Sequence, residues 1–317
     1  MRLVTFTTAD NASRRAGIAI SQGVVDLQAG AQVVGLDAPD SVVGLLQQGE
    51  AGLAVARDVE SAAIAGSVDV FAEGDVTLLA AVPDPPTLYL LAANYQSHIT
   101  ESGAAPVDKA SITPRPFIKP GTSVIGTGDP ILIPPDSDTL DYEIEIAAVI
   151  GTGGRSIPEE DAPTHVAGYV VFNDVSARSL KISEGRAERN GDWFFDWLLG
   201  KWCDSFAVVG PYLVTSDEIG EPRDLEMSLR VNGELRQHSA AGEMIFTVPE
   251  TIAFLSRFVT LRPGDLICMG TPGGVGATTA TYLQPGDVVE SSIERLGTMT
   301  NTVLPAKDPS FLGMTSS

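Results

Sequence analysis

Between Glu143 and Ile150 apolar and polar positions alternate. Ile144, Ile146, Ala148 and Ile150 define one face of a strand, and Glu143 and Glu145 the other. Short apolar runs closed by Pro or Gly fill the chain from Thr87 onward. They predict strands at Leu88–Ala92, Ile131–Ile133, Glu143–Ile150, His165–Phe172, Phe206–Leu213, Leu225–Val231, Asp265–Met269 and Val288–Ile293. Helical periods are few; the clearest is Pro249–Phe258, with Thr247 placed to cap it. LRPGD (261–265) and LQPGD (283–287) repeat one turn-then-strand unit. Many short strands with regular turns suggest a sandwich or closed roll, in an α+β chain that is predominantly β.

The first 82 residues have a different texture. LVTFTT, AGIAI and VVDL read as short strands, Ser41 to Ala65 keeps a helical period, and Val76 to Ala80 returns to strand. VPDPP (82–86) places three prolines in five residues, a stiff linker. The expected organisation is a small α+β domain at 1–82, a β-rich domain at 83–304 and a flexible tail at 305–317.

Composition and charge narrow the partners. The 317 residues are 44% hydrophobic and 19% charged, ordinary globular values that exclude wholesale disorder. Twenty Lys and Arg against 41 Asp and Glu give a net charge of −21. Such a surface repels phosphate backbones and anionic lipid, which argues against nucleic-acid and membrane partners. Cys203 and Cys268 read as separate buried thiols, not a disulfide or zinc site. Asp10, Arg14 and Arg15 interrupt any signal-peptide run, and the uncharged stretch Leu266 to Gly286 is crowded with Gly, Thr and Pro. A soluble, cytoplasmic protein is expected.

Three segments carry candidate chemistry. In DYEIEIAAVIG (141–151) the side chains of Glu143 and Glu145 share one space, at ~7 Å spacing along a strand. They are either an exposed polar face or two oxygen ligands for a hard divalent cation. In GYVVFNDVSAR (168–178) an apolar run ends in Asp174, which needs a partner once buried. That partner is Arg178, or Asp174 is a third metal ligand with Arg178 free for an anionic substrate. In NYQSHITE (94–101), His98 and Glu101 lie one helical turn apart, so the carboxylate can orient and activate the imidazole; an ordinary capped turn gives the same spacing.

Residue usage adds three observations. Of only five lysines, Lys119, Lys181 and Lys201 fall in the stretches around this candidate site. Trp193, Trp197 and Trp202 lie within ten residues of one another, with Phe194 and Phe195, as a satellite cluster or as a lid over a small pocket. GTPGGVG (270–276) lacks the Lys-Ser/Thr and the following helix signal of a phosphate loop. Its glycines let backbone N–H groups and Thr271 approach a bound carboxylate.

NYxxHxxE, IKPGT, DYEIEIAAVIG, FNDVSAR, LLGK, PGDLICMGTPGGVG and LQPGD, in this order, resemble the fumarylacetoacetate hydrolase family over residues 87–303. The resemblance implies a mostly β mixed roll, usually dimeric, with Mg²⁺, Mn²⁺ or Ca²⁺ at the mouth of the active site. Residues 1–80 resemble the small N-terminal domain of many members. The resemblance makes Glu143, Glu145 and Asp174 the metal ligands, His98 with Glu101 a water-activating dyad, and Lys201 the lysine beside the reacting carbonyl. Arg178 and Thr271 become substrate-side groups, joined in our reading by Lys181, Lys119 and Trp197. Leu91 stands where longer members have Asp, which favours a three-carboxylate site. Lys181 stands where many members have Gln, and SEGRAERNGDWFFDW (183–197) reads as an inserted lid.

The expected activity is metal-dependent hydrolysis of a C–C bond in a 2,4-dioxo acid, giving a 2-oxo acid such as pyruvate and a carboxylic acid. The expected assembly is a homodimer. Decarboxylation of an oxaloacetate-like acid, enol–keto isomerisation or dienoate hydration on the same scaffold are alternatives, and a non-catalytic acid-binding module is a more distant one. A glycosidase is a weaker reading still, because Glu143 and Glu145 leave one strand on one side and cannot flank a bond.

Overall fold

The computed structural model describes residues 1–180, 187 and 189–305. Its frame is a large mixed sheet. The main path runs Gly23–Asp26, Asn11–Ile20, Arg2–Thr8, Ala207–Thr215, Val166–Asp174, Ile144–Ile150, Leu266–Cys268, Leu88–Leu91 and Pro116–Lys119. Along this path only Leu266–Cys268 and Leu88–Leu91 run parallel. A five-stranded sheet follows the order Glu234–Ala240, Glu226–Val231, Val288–Ile293, Gly297–Pro305 and Ile131–Ile133.

The alternation in the central strand has a two-sided cause. Ile144 and Ile146 share an apolar cluster with Met227, Leu229, Val289 and Ile293 of the smaller sheet. Ala147 and Val149, on the opposite face, join Leu45, Ala56 and Val59 from the helices Val42–Gln47 and Glu50–Ile64. With both faces covered, every residue of Ile144–Ile150 is buried. The exposed polar face that Glu143 and Glu145 could have formed is therefore absent. Residues 1–82 contribute four strands to the large sheet, Val76–Leu78 pairing beside the main path with Arg2–Thr8, as well as these helices.

Local chemistry explains several boundaries. The helical period 41–65 is broken at Gly49, whose φ of +60° ends one helix before the next begins. The helix expected at Pro249–Phe258 spans Val248–Ser256, closed by a Thr247–Glu250 capping box. In both PGD repeats the aspartate accepts the N–H three residues earlier, at 2.8 Å for Asp265 and 2.7 Å for Asp287. Each turn then enters a strand, Leu266–Cys268 or Val288–Ile293. The strands Glu234–Ala240 and Gly297–Pro305, unpredicted, are rich in polar residues; each forms a hairpin with the strand before it, and Gly297–Pro305 also pairs with the distant Ile131–Ile133. The remainder of the expected tail, 306–317, lies outside the described residues.

This topology gathers strand ends at one edge. Ile144 pairs Asn173, Asp174 pairs Ala207, Ala147 pairs Cys268, Cys268 pairs Leu90 and Leu91 pairs Pro116. Glu143, Asp174, the approach to Ala207, the loop after Cys268, the segment after Leu91 and the approach to Pro116 consequently meet there.

Candidate active site

Glu143 and Glu145 keep their two-residue phase, and Asp174 ends the neighbouring strand with its N–H donating to the Glu143 carbonyl at 2.8 Å. Their carboxylate oxygens lie within 4.8 Å of one another. All three side chains are buried, at 5%, 1% and 1% exposure. Three like charges so placed demand cations. Lys201 Nζ donates to Glu143 Oε2 at 2.8 Å and to Asp174 Oδ2 at 2.6 Å. Lys119 Nζ contacts Asp174 Oδ1 and donates to the Val175 carbonyl at 3.0 Å.

Arg178 does not pair with Asp174, and it is not free. Its Nε donates to Asp141 Oδ2 at 2.8 Å and its Nη2 lies 2.6 Å from Glu143 Oε1. Asp141 had not been singled out, although it continues the phase of Glu143 and Glu145. It is fully buried and accepts N–H groups of Gly276 at 2.7 Å and Ala277 at 2.9 Å as well.

The two glutamates differ electrostatically. Burial disfavours the Glu143 carboxylate, but Lys201 and Arg178 outweigh it and hold the carboxyl well below its usual range. Burial, then Asp174 and Glu143, push Glu145 well above that range. Glu145 accepts one hydrogen bond, from the Gly270 N–H at 2.8 Å, and has no ion pair among the described residues. Burial lowers Lys119 despite Asp174, whereas in Lys201 the pull of Asp174 and Glu143 exceeds the effect of burial and raises it. Three hard oxygen donors, one lacking a cation, fit a divalent ion of the Mg²⁺, Mn²⁺ or Ca²⁺ kind.

The second element is the short helix Gln96–Glu101. Asn94 anchors its approach by donating to the Met269 carbonyl at 2.8 Å and accepting the Phe246 N–H at 2.8 Å. His98 Nδ1 lies 2.5 Å from Glu101 Oε1. A carboxylate only accepts, so Nδ1 carries the hydrogen and Nε2 is the nitrogen offered to a ligand. Glu101 is fixed in turn by the Gly274 N–H at 2.6 Å.

The glycine loop thus serves the protein's own acids. Its N–H groups at Gly270, Gly274 and Gly276 hold Glu145, Glu101 and Asp141, not a bound carboxylate as the sequence suggested. Gly274 has φ +103°, and a Cβ there would meet the Arg236 carbonyl at 2.3 Å. A four-residue helix, Gly276–Thr279, follows the loop. Thr271 receives a hydrogen bond at 2.8 Å from Gln237, a buried side chain on the strand Glu234–Ala240. Gln237 was not legible because that strand was not.

These groups face a cavity of about 570 Å³. His98, Arg115, Glu143, Asp174, Arg178, Lys201 and Thr271 form its polar part. The helix Asp192–Leu199 roofs it with Trp193, Phe194 and Trp197, while Trp202 instead donates to the Ile118 carbonyl at 2.9 Å. Trp197 stacks on Phe194 at 5.9 Å and meets Phe117 edge-on at 5.0 Å.

The family description "Fumarylacetoacetate (FAA) hydrolase C-terminal" matches residues 87–304. The chain belongs to the fumarylacetoacetate hydrolase family. Bovine (Bos taurus) "Oxaloacetate tautomerase FAHD2B, mitochondrial" is 40% identical over 308 residues, 96% of this chain and 92% of that protein. Maleylpyruvate hydrolase from Sphingobium sp. SYK-6, solved with manganese(II) and pyruvate, has a TM-score of 0.74 at 27% identity, covering 97% of this chain and all of that one. The 2-hydroxyhepta-2,4-diene-1,7-dioate isomerase of Mycobacterium marinum has a TM-score of 0.69 at 26% identity, with the same coverage.

In this member of the fumarylacetoacetate hydrolase family, the residues expected from sequence fall into two shells. His98, Glu143, Asp174, Arg178, Lys201, Thr271 and Trp197 reach the cavity wall, whereas Glu145, Glu101 and Lys119 stand behind it. Lys119 was expected to touch substrate; its ammonium is fully buried against Asp174 and two carbonyls, those of Val175 and Phe206. Lys181 and most of the expected lid insertion before Asn190 lie outside the described residues. Cys268 is buried and Cys203 half-buried, both as free thiols. Among the described residues no helix is long and apolar enough to cross a membrane.

Proposed function

We propose that this family member is a metal-dependent enzyme of short 2-oxo acids that hydrolyses the C3–C4 bond of a 2,4-dioxo acid to a 2-oxo acid and a carboxylic acid. The observation that carries this reading is the His98–Glu101 pair on the wall of the cavity that also holds Glu143, Asp174 and Lys201. Mg²⁺ held by Glu143, Glu145 and Asp174 would supply Lewis-acid stabilisation of negative charge at the 2-oxo acid end. His98 Nε2 takes a proton from water as its oxygen bonds to C4, and Glu101 steadies the imidazolium. Lys201 spends two N–H groups on Glu143 and Asp174 and keeps a third for the developing oxyanion. The C3–C4 bond then breaks, and C3 takes a proton as the 2-oxo acid leaves. Arg178, braced by Asp141 and Glu143, orients the substrate carboxylate.

A second reading is enol–keto tautomerisation of oxaloacetate, favoured by the 40% identity to the bovine tautomerase. There His98 carries a proton between the enol oxygen side and C3, and no water is consumed. For either activity we propose a homodimer in the cytoplasm; the bovine relative is named mitochondrial.

The test is loss of enol absorbance from an acylpyruvate and from oxaloacetate, each with Mg²⁺ and with EDTA, together with product analysis. Metal-dependent release of pyruvate and the acid from the acylpyruvate supports hydrolysis. Accelerated enol–keto exchange of oxaloacetate with no cleavage of the acylpyruvate replaces it with the second reading. Carbon dioxide from oxaloacetate would make the protein a decarboxylase.

A further inference from the structure

Three basic side chains besides His98 line the main cavity: Arg115, Arg178 and Lys201. Arg178 is committed to Asp141 and Glu143, and Lys201 to Glu143 and Asp174. Arg115 differs, because its guanidinium has no hydrogen bond, ion pair or ring contact among the described residues. It also lines an adjoining cavity of about 400 Å³, which shares Leu91, Ala92, Ala93, His98 and Arg178 with the first. Arg115 therefore stands where two chambers meet.

Its backbone is held firmly. Pro114 and Pro116 flank it, which fixes their own φ angles and keeps Arg115 extended. Its carbonyl accepts the Ala92 N–H at 3.0 Å, locking the approach to Pro116–Lys119 against the end of Leu88–Leu91. The cavity wall around it is apolar, with Leu91, Pro116 and Phe117. In a chain of net charge −21, this exposed arginine, with no acid beside it in such a wall, is suited to receive an anion. Its planar fork suits a carboxylate held by two parallel hydrogen bonds.

We propose that Arg115 is a specificity-determining residue that selects ligands carrying a second carboxylate, remote from the 2-oxo acid end. This rests on the reading of the site as one for 2-oxo acids. The 2-oxo acid end lies against Arg178, Lys201 and the three acids, and the remote carboxylate reaches Arg115. Apolar chain atoms between the two pass Phe117 and Leu91.

The test compares 2-oxoglutarate with 2-oxopentanoate, which share a five-carbon chain and differ in one terminal carboxylate. Binding to the full chain with Mg²⁺ is measured by calorimetry, alongside acylpyruvate and oxaloacetate turnover. The wild type should bind the diacid about tenfold more tightly, the value of a partly exposed charge-assisted contact. Arg115→Met should collapse that ratio to within about twofold, Arg115→Lys should retain part of it, and 0.5 M salt should shrink it. Equal binding of the two acids by the wild type, or an unchanged ratio in Arg115→Met, overturns the proposal while turnover leaves the 2-oxo acid reading intact. Absence of both binding and turnover overturns that reading, and this proposal with it.

Discussion

The cavity has a floor and a roof built in opposite ways. The floor carries Glu143 and Asp174 at the ends of Ile144–Ile150 and Val166–Asp174, strands in which every residue is buried and which are paired on both sides. The roof is the helix Asp192–Leu199, in which only Asp192 is buried and Trp193 and Phe195 are 75% and 60% exposed. A doubly paired strand holds its side chains in fixed directions, so the carboxylates of the floor are preorganised and their repulsion cannot relax by moving apart. A mostly exposed helix can shift with the bulk of what lies beneath it. The floor is suited to chemistry and the roof to selection, and the His98–Glu101 pair stands between them.

The largest effects should come from the floor. Glu143→Gln removes one oxygen donor and the main counter-charge of Lys201 and Arg178. Metal affinity should fall by more than the ~100-fold that outer-shell changes can cost, and turnover should be lost with it. Calorimetric titration with Mg²⁺ or Mn²⁺ measures the first; tight binding with full activity would remove Glu143 from the ligand set. His98→Ala acts on the next layer and should lower kcat by ~10²–10⁴ while metal binding persists. An unchanged kcat would transfer the proton step to another group.

How far the sequence could see into the site follows the same division. The alternation around Glu143 and Glu145 exposed half of the floor, and an acid at the end of the apolar run GYVVFND exposed Asp174. One-turn spacing exposed His98 and Glu101, because helical neighbours three apart meet without help from the rest of the chain. Asp141 was in the same phase but lacked an assigned task, since its task is set by Arg178 and Gly276 from elsewhere in the fold. Gln237 lies on a polar strand that lacks an apolar alternation of its own and is held as the second arm of a hairpin with Glu226–Val231. Arg115, between two prolines, carried no sequence signal; strand pairing sets Pro116 opposite Leu91 and the Arg115 carbonyl on the Ala92 N–H. The glycine loop was recognised as a source of N–H groups, yet its acceptors depend on which carboxylates the sheet delivers.

A pH series sharpens the contrast between the two glutamates at a smaller scale. Glu145 is raised in the folded state, so without metal it binds a proton that the unfolded chain has released. The contribution of this group to folding is fullest below the ordinary carboxyl value of 4.5 and falls as pH rises toward its folded value. Over that window metal binding must expel the proton, so affinity should rise by up to about tenfold per pH unit. Calorimetry in buffers of different ionisation enthalpy reads the released proton directly. In Glu145→Gln that proton release should vanish; its persistence would assign the proton to another group.

The smallest expected effect lies in the roof. Trp197 packs between Phe117 and Phe194, and its ring lies 5.9 Å from Lys201 Nζ. Trp197→Ala removes contact area from the substrate side and leaves the carboxylates in place, so KM should rise up to about tenfold, a loss of at most ~1.4 kcal/mol. The cation–π contact with the buried Lys201 ammonium is worth up to ~2 kcal/mol, but Glu143 and Asp174 hold that ammonium independently. kcat should therefore change by about fivefold or less, with metal affinity unmoved. Steady-state kinetics on acyl groups of increasing size make the comparison: a selective roof alters their ranking, whereas a uniform loss of kcat approaching that of His98→Ala would show that the roof positions Lys201 and that floor and roof act as one unit.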